Sequence, residues 1–216
     1  MRGIVLWRRK LAARFGAVRR NSRRNATVRT AKNRYRARIF VRIPARAARD
    51  EPDGELKKMA TARTIEIVAI AERDKLPLWE LMQRYLAELS TLGGDGPVQG
   101  AYRYRYFDAF WREAERWPMW IVSDGETAGF ALVRKDGARM EMAEFFIEPA
   151  FRRGGIGVRA ARAIIQRFPG RWELSEFREN LPAIAFWRRV LDGFAKYHET
   201  SEGERITQLF EAPGSA

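Results

Sequence analysis

Hydrophobic positions fall into two regimes along the chain. Before residue 59 they are scattered: Arg19-Arg20-Asn21-Ser22-Arg23-Arg24-Asn25 shows no apolar period, and Ile39-Phe40-Val41 is an isolated island followed by Pro44. From Thr64 the pattern becomes periodic. Thr64–Ile70 is rich in β-branched residues and predicts a strand. Leu78, Met82, Tyr85, Leu86 and Leu89 recur at i, i+4, i+7, i+8 and i+11, one face of a helix with Pro77 in its first turn. Gly93-Gly94-Asp95-Gly96-Pro97 reads as a loop. A second helix is predicted over Tyr106–Arg116, with Phe107, Phe110 and Trp111 on one side and Pro118 as its stop. Three strands then form a meander, Met119–Ser123, Thr127–Val133 and Arg139–Glu148, joined by the hairpin signals Asp124-Gly125 and Asp136-Gly137. Gly155–Phe168 is helical, with Ile156, Ala160, Ala161, Ile164 and Phe168 on one face. Trp172–Phe177 is a strand and Pro182–Leu191 a helix. Ala195–Glu199 and Arg205–Phe210 are short strands around the turn Ser201-Glu202-Gly203-Glu204. The order βααβββαβαββ predicts an α+β fold, with antiparallel strands first and one β-α-β unit later.

Charge divides at the same place. The 216 residues carry a formal +14. Residues 1–58 hold 19 basic and 4 acidic side chains, whereas residues 59–216 hold 22 and 23. Residues 1–60 therefore read as an Arg-rich, disordered extension and residues 61–216 as the folded domain. Three readings fit the extension: an arm that binds nucleic acid, a transit peptide, or a leader outside the natural product if translation starts at Met59. Nucleic acid is expected as a partner only through this segment. The absence of cysteine excludes a disulfide framework, a thiolate metal site and a Cys nucleophile. A single histidine, His198, and no Gly-x-Ser-x-Gly elbow argue against a Ser-His-Asp triad, and no metal is expected. No apolar run reaches 18 residues and no signal peptide is evident, so a cytoplasmic protein without a membrane partner is expected.

The stretch that carries chemistry is Phe146-Ile147-Glu148-Pro149-Ala150-Phe151-Arg152-Arg153-Gly154-Gly155-Ile156-Gly157, between a strand and a helix. Glycines let a ligand approach the backbone, and the first N–H groups of a helix lack partners within it. Such a turn binds diphosphate, and Arg152 and Arg153 add positive charge. Two motifs use this geometry. Gly155-Ile156-Gly157-Val158-Arg159-Ala160 matches the dinucleotide pattern G-x-G-x-x-A, with Glu176 where a ribose-binding acid would stand. Only about 60 residues follow the motif, too few for the several βα units of a dinucleotide fold.

The second match is closer. Arg152-Arg153-Gly154-Gly155-Ile156-Gly157 reads as R/Q-x-x-G-x-G/A, preceded by Ile147-Glu148-Pro149 and followed by Asn180-x-x-Ala183-x-x-Phe186-Trp187. Together these resemble the GNAT superfamily of N-acetyltransferases over roughly residues 62–211. The resemblance implies a mixed, mostly antiparallel sheet flanked by helices, and acetyl-CoA as co-substrate. It implies direct acetyl transfer to a primary amine in a ternary complex, on a small-molecule or peptide acceptor, by a monomer or homodimer. Phe146 and Ile147 would pair with the pantetheine arm. Amides from Arg153 through Gly154, Gly155, Ile156 and Gly157 to Val158 would hold the pyrophosphate. Asn180, Phe186 and Trp187 would line the thiol end, and the Tyr102–Tyr106 cluster would wall the acceptor pocket. Candidate bases are Glu144 and Glu141, which strict alternation puts on opposite faces. Trp187 stands where many relatives have Tyr, and an indole N–H is no usable acid. Tyr197 could replace it, or the thiolate could leave unassisted. Two other readings remain: a non-catalytic acyl-CoA-binding module, and a nucleic-acid-binding protein acting through its basic arm.

Overall fold

In the computed structural model, which describes residues 63–92 and 96–213, the predicted order of strands and helices is found. The expectations for residues 1–60 and for Gly93-Gly94-Asp95 lie outside the described residues. The rest forms two compact units, residues 71–114 and residues 63–70 with 115–213.

The smaller unit begins with a 3-10 turn and α1 (Lys75–Ser90), whose buried side is Leu78, Leu81 and Met82. The predicted second helix shrinks to one turn, α2 (Ala109–Arg112). Its apolar positions span only Phe107 to Trp111, and the polar Glu113 is already extended at φ −96°, ψ 141°. Phe107 packs edge-on against Trp79 (5.0 Å between ring centroids) and Trp111 (5.2 Å). Gln83 bonds both backbone groups of Tyr102, at 3.1 and 2.7 Å, and so fixes the start of the tyrosine cluster.

The larger unit is a seven-stranded sheet in the order β1-β2-β3-β4-β5-β7-β6. Its strands are β1 (Ile65–Ala69), β2 (Arg116–Ser123), β3 (Glu126–Asp136), β4 (Arg139–Ile147), β5 (Arg171–Phe177), β6 (Tyr197–Glu202) and β7 (Arg205–Glu211). All neighbours are antiparallel except β4 and β5, which α3 (Ile156–Arg167) connects; α4 (Leu181–Leu191) follows β5. The β2–β3 hairpin turns on Asp124 (φ 51°) and Gly125 (φ 86°), two left-handed residues as a type I′ turn requires. Pro118 does not stop a helix; it lies inside β2. Its carbonyl accepts from Ile70 N at 2.9 Å, and the missing N–H ends the β1–β2 ladder there. One face of the sheet buries Ile67, Ile121, Ala131, Val133, Trp172 and Leu174 beneath Ile156, Ala160 and Ile164 of α3 and Trp187, Val190 and Leu191 of α4. Both helices thus pack on the same face of the sheet.

Candidate functional site

β4 and β5 are sheet neighbours over a very short length. Their ladder consists of Met140–Trp172 and Glu141–Glu173. β4 keeps its partner β3 as far as Ile147 opposite Gly129, and β5 keeps β7 as far as Phe177 opposite Arg205. Past Glu141 and Glu173 the sheet therefore splits, leaving a wedge between the carboxyl ends of two parallel strands. An extended ligand entering it meets strand backbone as a pairing surface.

A bulge shapes one wall. Leu132 lies opposite Glu144 while Val133 lies opposite Met142, so Ala143 is an extra residue in β4. Arg134, opposite Glu141, and Leu132, opposite Glu144, are two apart on β3 and share a face. Glu141 and Glu144 therefore share a face as well, the one turned away from α3 and α4. The expectation of opposite faces is corrected: the bulge absorbs one step of the alternation. Their surroundings differ. Glu141 accepts from Arg134 Nε at 2.8 Å and from Arg134 Nη2, with both side chains largely buried. Glu144 is half-buried, beyond the bulge, on the part of β4 that borders the wedge.

The turn between β4 and α3 sits at the mouth. Arg153 is left-handed at φ 67° and Gly155, the residue before the helix, at φ 74°. Among the described residues no side chain caps α3, and its first turn holds no acidic residue. Arg159 N to Gly155 O (3.1 Å) opens the helical ladder, so the amides of Ile156, Gly157 and Val158 precede it. A Cβ built on Gly154 or Gly155 would meet none of the described residues within 4 Å. Open space, outward donors and an unneutralised helix dipole are what a diphosphate needs. Gly157 has a different reason to be glycine. Its Cβ would lie 3.1 Å from Phe186 Cε2 and 3.4 Å from Ile147 Cγ1, so here α3, α4 and β4 approach too closely for a side chain. Arg152 turns back: Nε donates to Ile147 O at 2.8 Å and the guanidinium lies over the Phe146 ring at 5.4 Å. It clamps the end of β4.

On the other side, Asn180 caps α4, its Oδ1 accepting from Ala183 N at 3.2 Å. Phe186 stacks on Phe145 (5.4 Å, 25°), and Trp187 meets both rings edge-on at 4.9 and 5.4 Å. Trp187 is buried in this cluster. Tyr197 and the exposed His198 lie on β6, the sheet edge two strands beyond β5, roughly 10 Å from it at ordinary strand spacing.

One acidic group stands in surroundings that its motif position does not predict. Glu176 follows Trp172 and Leu174 at period 2 on β5, which puts it on the helix-covered face. It is 7% exposed, and among the described residues neither carboxyl oxygen has a hydrogen-bond partner. Loss of hydration pushes its pKa up to about 8, against the opposing pull of Arg205 and Arg188. The ribose-binding reading of Glu176 fails because the sheet formed by the described residues is not doubly wound; β4–β5 is the single parallel pair among them. The signal was present in the sequence, as a Glu in the apolar phase of a strand.

In the smaller unit, Trp79, Tyr104, Phe107 and Asp108 line a recess, where Asp108 pairs with Lys75 at 2.8 Å. That bond holds the Asp108 carboxyl below, and the Lys75 ammonium above, their usual ranges. Among the described residues no group of His, Cys, Asp and Glu could hold a metal ion. No helix among them is long and apolar enough to cross a membrane.

Comparison with known proteins gives a consistent result. The sequence model of the acetyltransferase (GNAT) family matches residues 79–192. Solved structures of similar fold include an acetyltransferase from Thermus thermophilus (12% identity, 68% of this chain and 96% of that one, TM-score 0.54). Others are the GNAT domain of S. lividans PAT (14%, 68% and 90%, 0.52) and RimL, a ribosomal L7/L12 alpha-N-protein acetyltransferase in complex with coenzyme A (13%, 69% and 94%, 0.50). No curated protein matches the sequence.

Proposed function

The chain belongs to the GNAT acetyltransferase family, and on that premise we propose that it transfers an acetyl group from acetyl-CoA directly to a primary amine of a small-molecule or peptide acceptor, in a ternary complex. Acetyl-CoA is the co-substrate of the family. The observation that carries the reading is the parting of β4 from β5 beneath an uncapped helix start. In this reading Phe146 and Ile147 present backbone to the pantetheine arm, and the amides from Arg153 to Val158 hold the pyrophosphate. Arg152 positions that strand end. Asn180, Phe186 and Trp187 form the far wall.

Glu144 is the base. It borders the wedge on the face away from the helices and takes a proton from the incoming ammonium. Glu141, engaged by Arg134 beside the bulge, positions that part of β4.

Calorimetry on the full chain is expected to show acetyl-CoA binding in the micromolar range, about −8 kcal/mol. No detectable heat of binding at millimolar ligand removes the reading. A second reading, a non-catalytic acyl-CoA-binding module, is favoured by one observation: the buried Trp187 offers only an N–H donor where an acid is needed. Thiol release across a panel of primary amines separates the two.

A further inference from the structure

The wedge has two faces, and each carries a carboxyl group beyond the last ladder pair. Glu141 and Glu173 close the ladder. Three residues further on each strand stand Glu144, on the face away from the helices, and Glu176, on the face beneath them. Glu176 thus belongs to the stretch of β5 beside the wedge, where β4 is no longer its paired neighbour. The charged groups that act on it are Arg205 of β7, Glu199 of β6 and Arg188 of α4; none comes from β4, the side on which the wedge opens. Glu199 and Arg188 are committed to each other, Arg188 Nε to Glu199 Oε2 at 3.0 Å. Arg205 Nε is committed to Ser175 Oγ at 2.6 Å. A buried carboxyl with both oxygens unsatisfied is costly to maintain, and natural interiors keep few of them.

We propose that Glu176 is the general acid of the transfer, giving its proton to the coenzyme A sulfur as the thioester bond breaks. The inference rests on the acetyl-transfer reading above. It assigns the two protons to opposite faces. On the outer face Glu144 takes a proton from the acceptor ammonium, and the freed nitrogen lone pair forms the C–N bond to the acetyl carbon. The C–S bond breaks with its electron pair on sulfur, on the helix side where the coenzyme would lie. Glu176 protonates that sulfur and becomes a carboxylate. Glu144 passes the first ammonium proton to solvent and then accepts the surplus proton of the tetrahedral nitrogen, so that the new amide keeps one hydrogen. Exchange with solvent reloads Glu176 and empties Glu144, so each turnover releases one proton. A carboxyl held protonated by its apolar surroundings near neutral pH has the right state for this task, and no Tyr on α4 is needed.

The test uses the full chain and Glu176→Gln, which keeps the shape and the neutral charge but has no proton to give. The first probe is coenzyme A itself, with its bound thiol followed by thiolate absorbance against pH. In the wild type the titration is expected to be broadened, with a midpoint about one pH unit above that of E176Q, because two neighbouring acids resist ionising together. Identical curves overturn the proposal. So does a wild-type thiol titrating in one step like free coenzyme A, a result that needs no variant. The second probe is acetyl-CoA with a panel of primary amines. E176Q is expected to lose about 100-fold in kcat with coenzyme A affinity within twofold. Equal kcat overturns the proposal alone. A wild-type chain that binds no coenzyme A, or turns over no amine, overturns the acetyl-transfer reading and this inference with it.

Discussion

Glu141 and Glu144 carry the same carboxylate three positions apart, and their neighbours assign them different work. Glu141 is enclosed with Arg134 in a two-point hydrogen-bonded pair, and Asp136 stands 3.7 Å from the same guanidinium. Glu141→Gln would leave a buried Arg without its main counter-charge. It is expected to destabilise the fold by about 3 kcal/mol, the low end for a broken buried pair because Asp136 stays, which is roughly 6–12 °C in Tm. Glu144→Gln is expected to leave Tm within about 2 °C and to lower kcat about 10²–10⁴-fold on any accepted amine. Thermal melts and thiol-release kinetics on both variants check the contrast; the reverse pattern would exchange the two roles. Both glutamates are visible in the sequence as candidates. Their separation is not, because the bulge at Ala143 and the partner Arg134 are properties of the paired strands.

At the scale of elements, α3 and α4 define the helix-covered side of the wedge, and Arg162 fastens them together. From α3 it donates to Val190 O at 2.8 Å, Arg189 O at 3.2 Å and Asp192 O at 2.6 Å, the unpaired carbonyls at the end of α4. Its guanidinium also lies 5.3 Å from the Phe194 ring centroid. Arg162→Met keeps the apolar stem and removes every donor. It is expected to cost about 2–3 kcal/mol, seen as a fall of roughly 4–10 °C in Tm. A Tm unchanged within 1 °C would deny the fastening role. The helices themselves were legible: Ile156, Ala160, Ala161 and Ile164 repeat along α3 as its buried face. Sequence and structure part where local signals compete with strand pairing. One turn's worth of aromatic residues suggested a helix over Tyr106–Arg116, yet Arg116, Trp117 and Pro118 are taken into β2 by their partners Arg134, Val133 and Leu132. Sheet register overrides a breaker residue when the breaker falls at the end of one ladder.

For the molecule as a whole, Glu176 links stability to pH. Its folded pKa, about 8, lies above its ordinary value of 4.5. Between these values the folded state holds more protons than the unfolded state, so stability falls as pH rises from about 4.5 and the loss is complete above about 8. Glu176→Gln removes this dependence. The variant is expected to match the wild type in Tm at pH 4.5 and to exceed it by several degrees at pH 9. Melts across that range test this, and parallel curves would show that Glu176 does not ionise against a penalty in the folded state. The +14 of the whole chain is a property of residues 1–58. Any steeply salt-dependent binding to nucleic acid is therefore expected from that segment, and the proposed acetyl-transfer site stands on a nearly neutral stretch.

The sequence by itself determined the order of elements, the hairpin turns at Asp124-Gly125 and Asp136-Gly137, the glycine turn before α3 and the family. These depend on residue type and short-range spacing: left-handed φ, apolar period, an amide-rich turn. Only the tertiary structure decided where β4 leaves β5, that Glu141 and Glu144 share a face, that Gly157 serves helix packing, and that Glu176 is buried with no hydrogen-bond partner among the described residues. Each of these depends on which strand or helix lies opposite, and residues far apart in the chain choose that together: Trp172 against Met140, Leu132 against Glu144, Phe186 against Gly157. Burial and register are set by such long-range neighbours, and so are the charge states that the proposed chemistry uses.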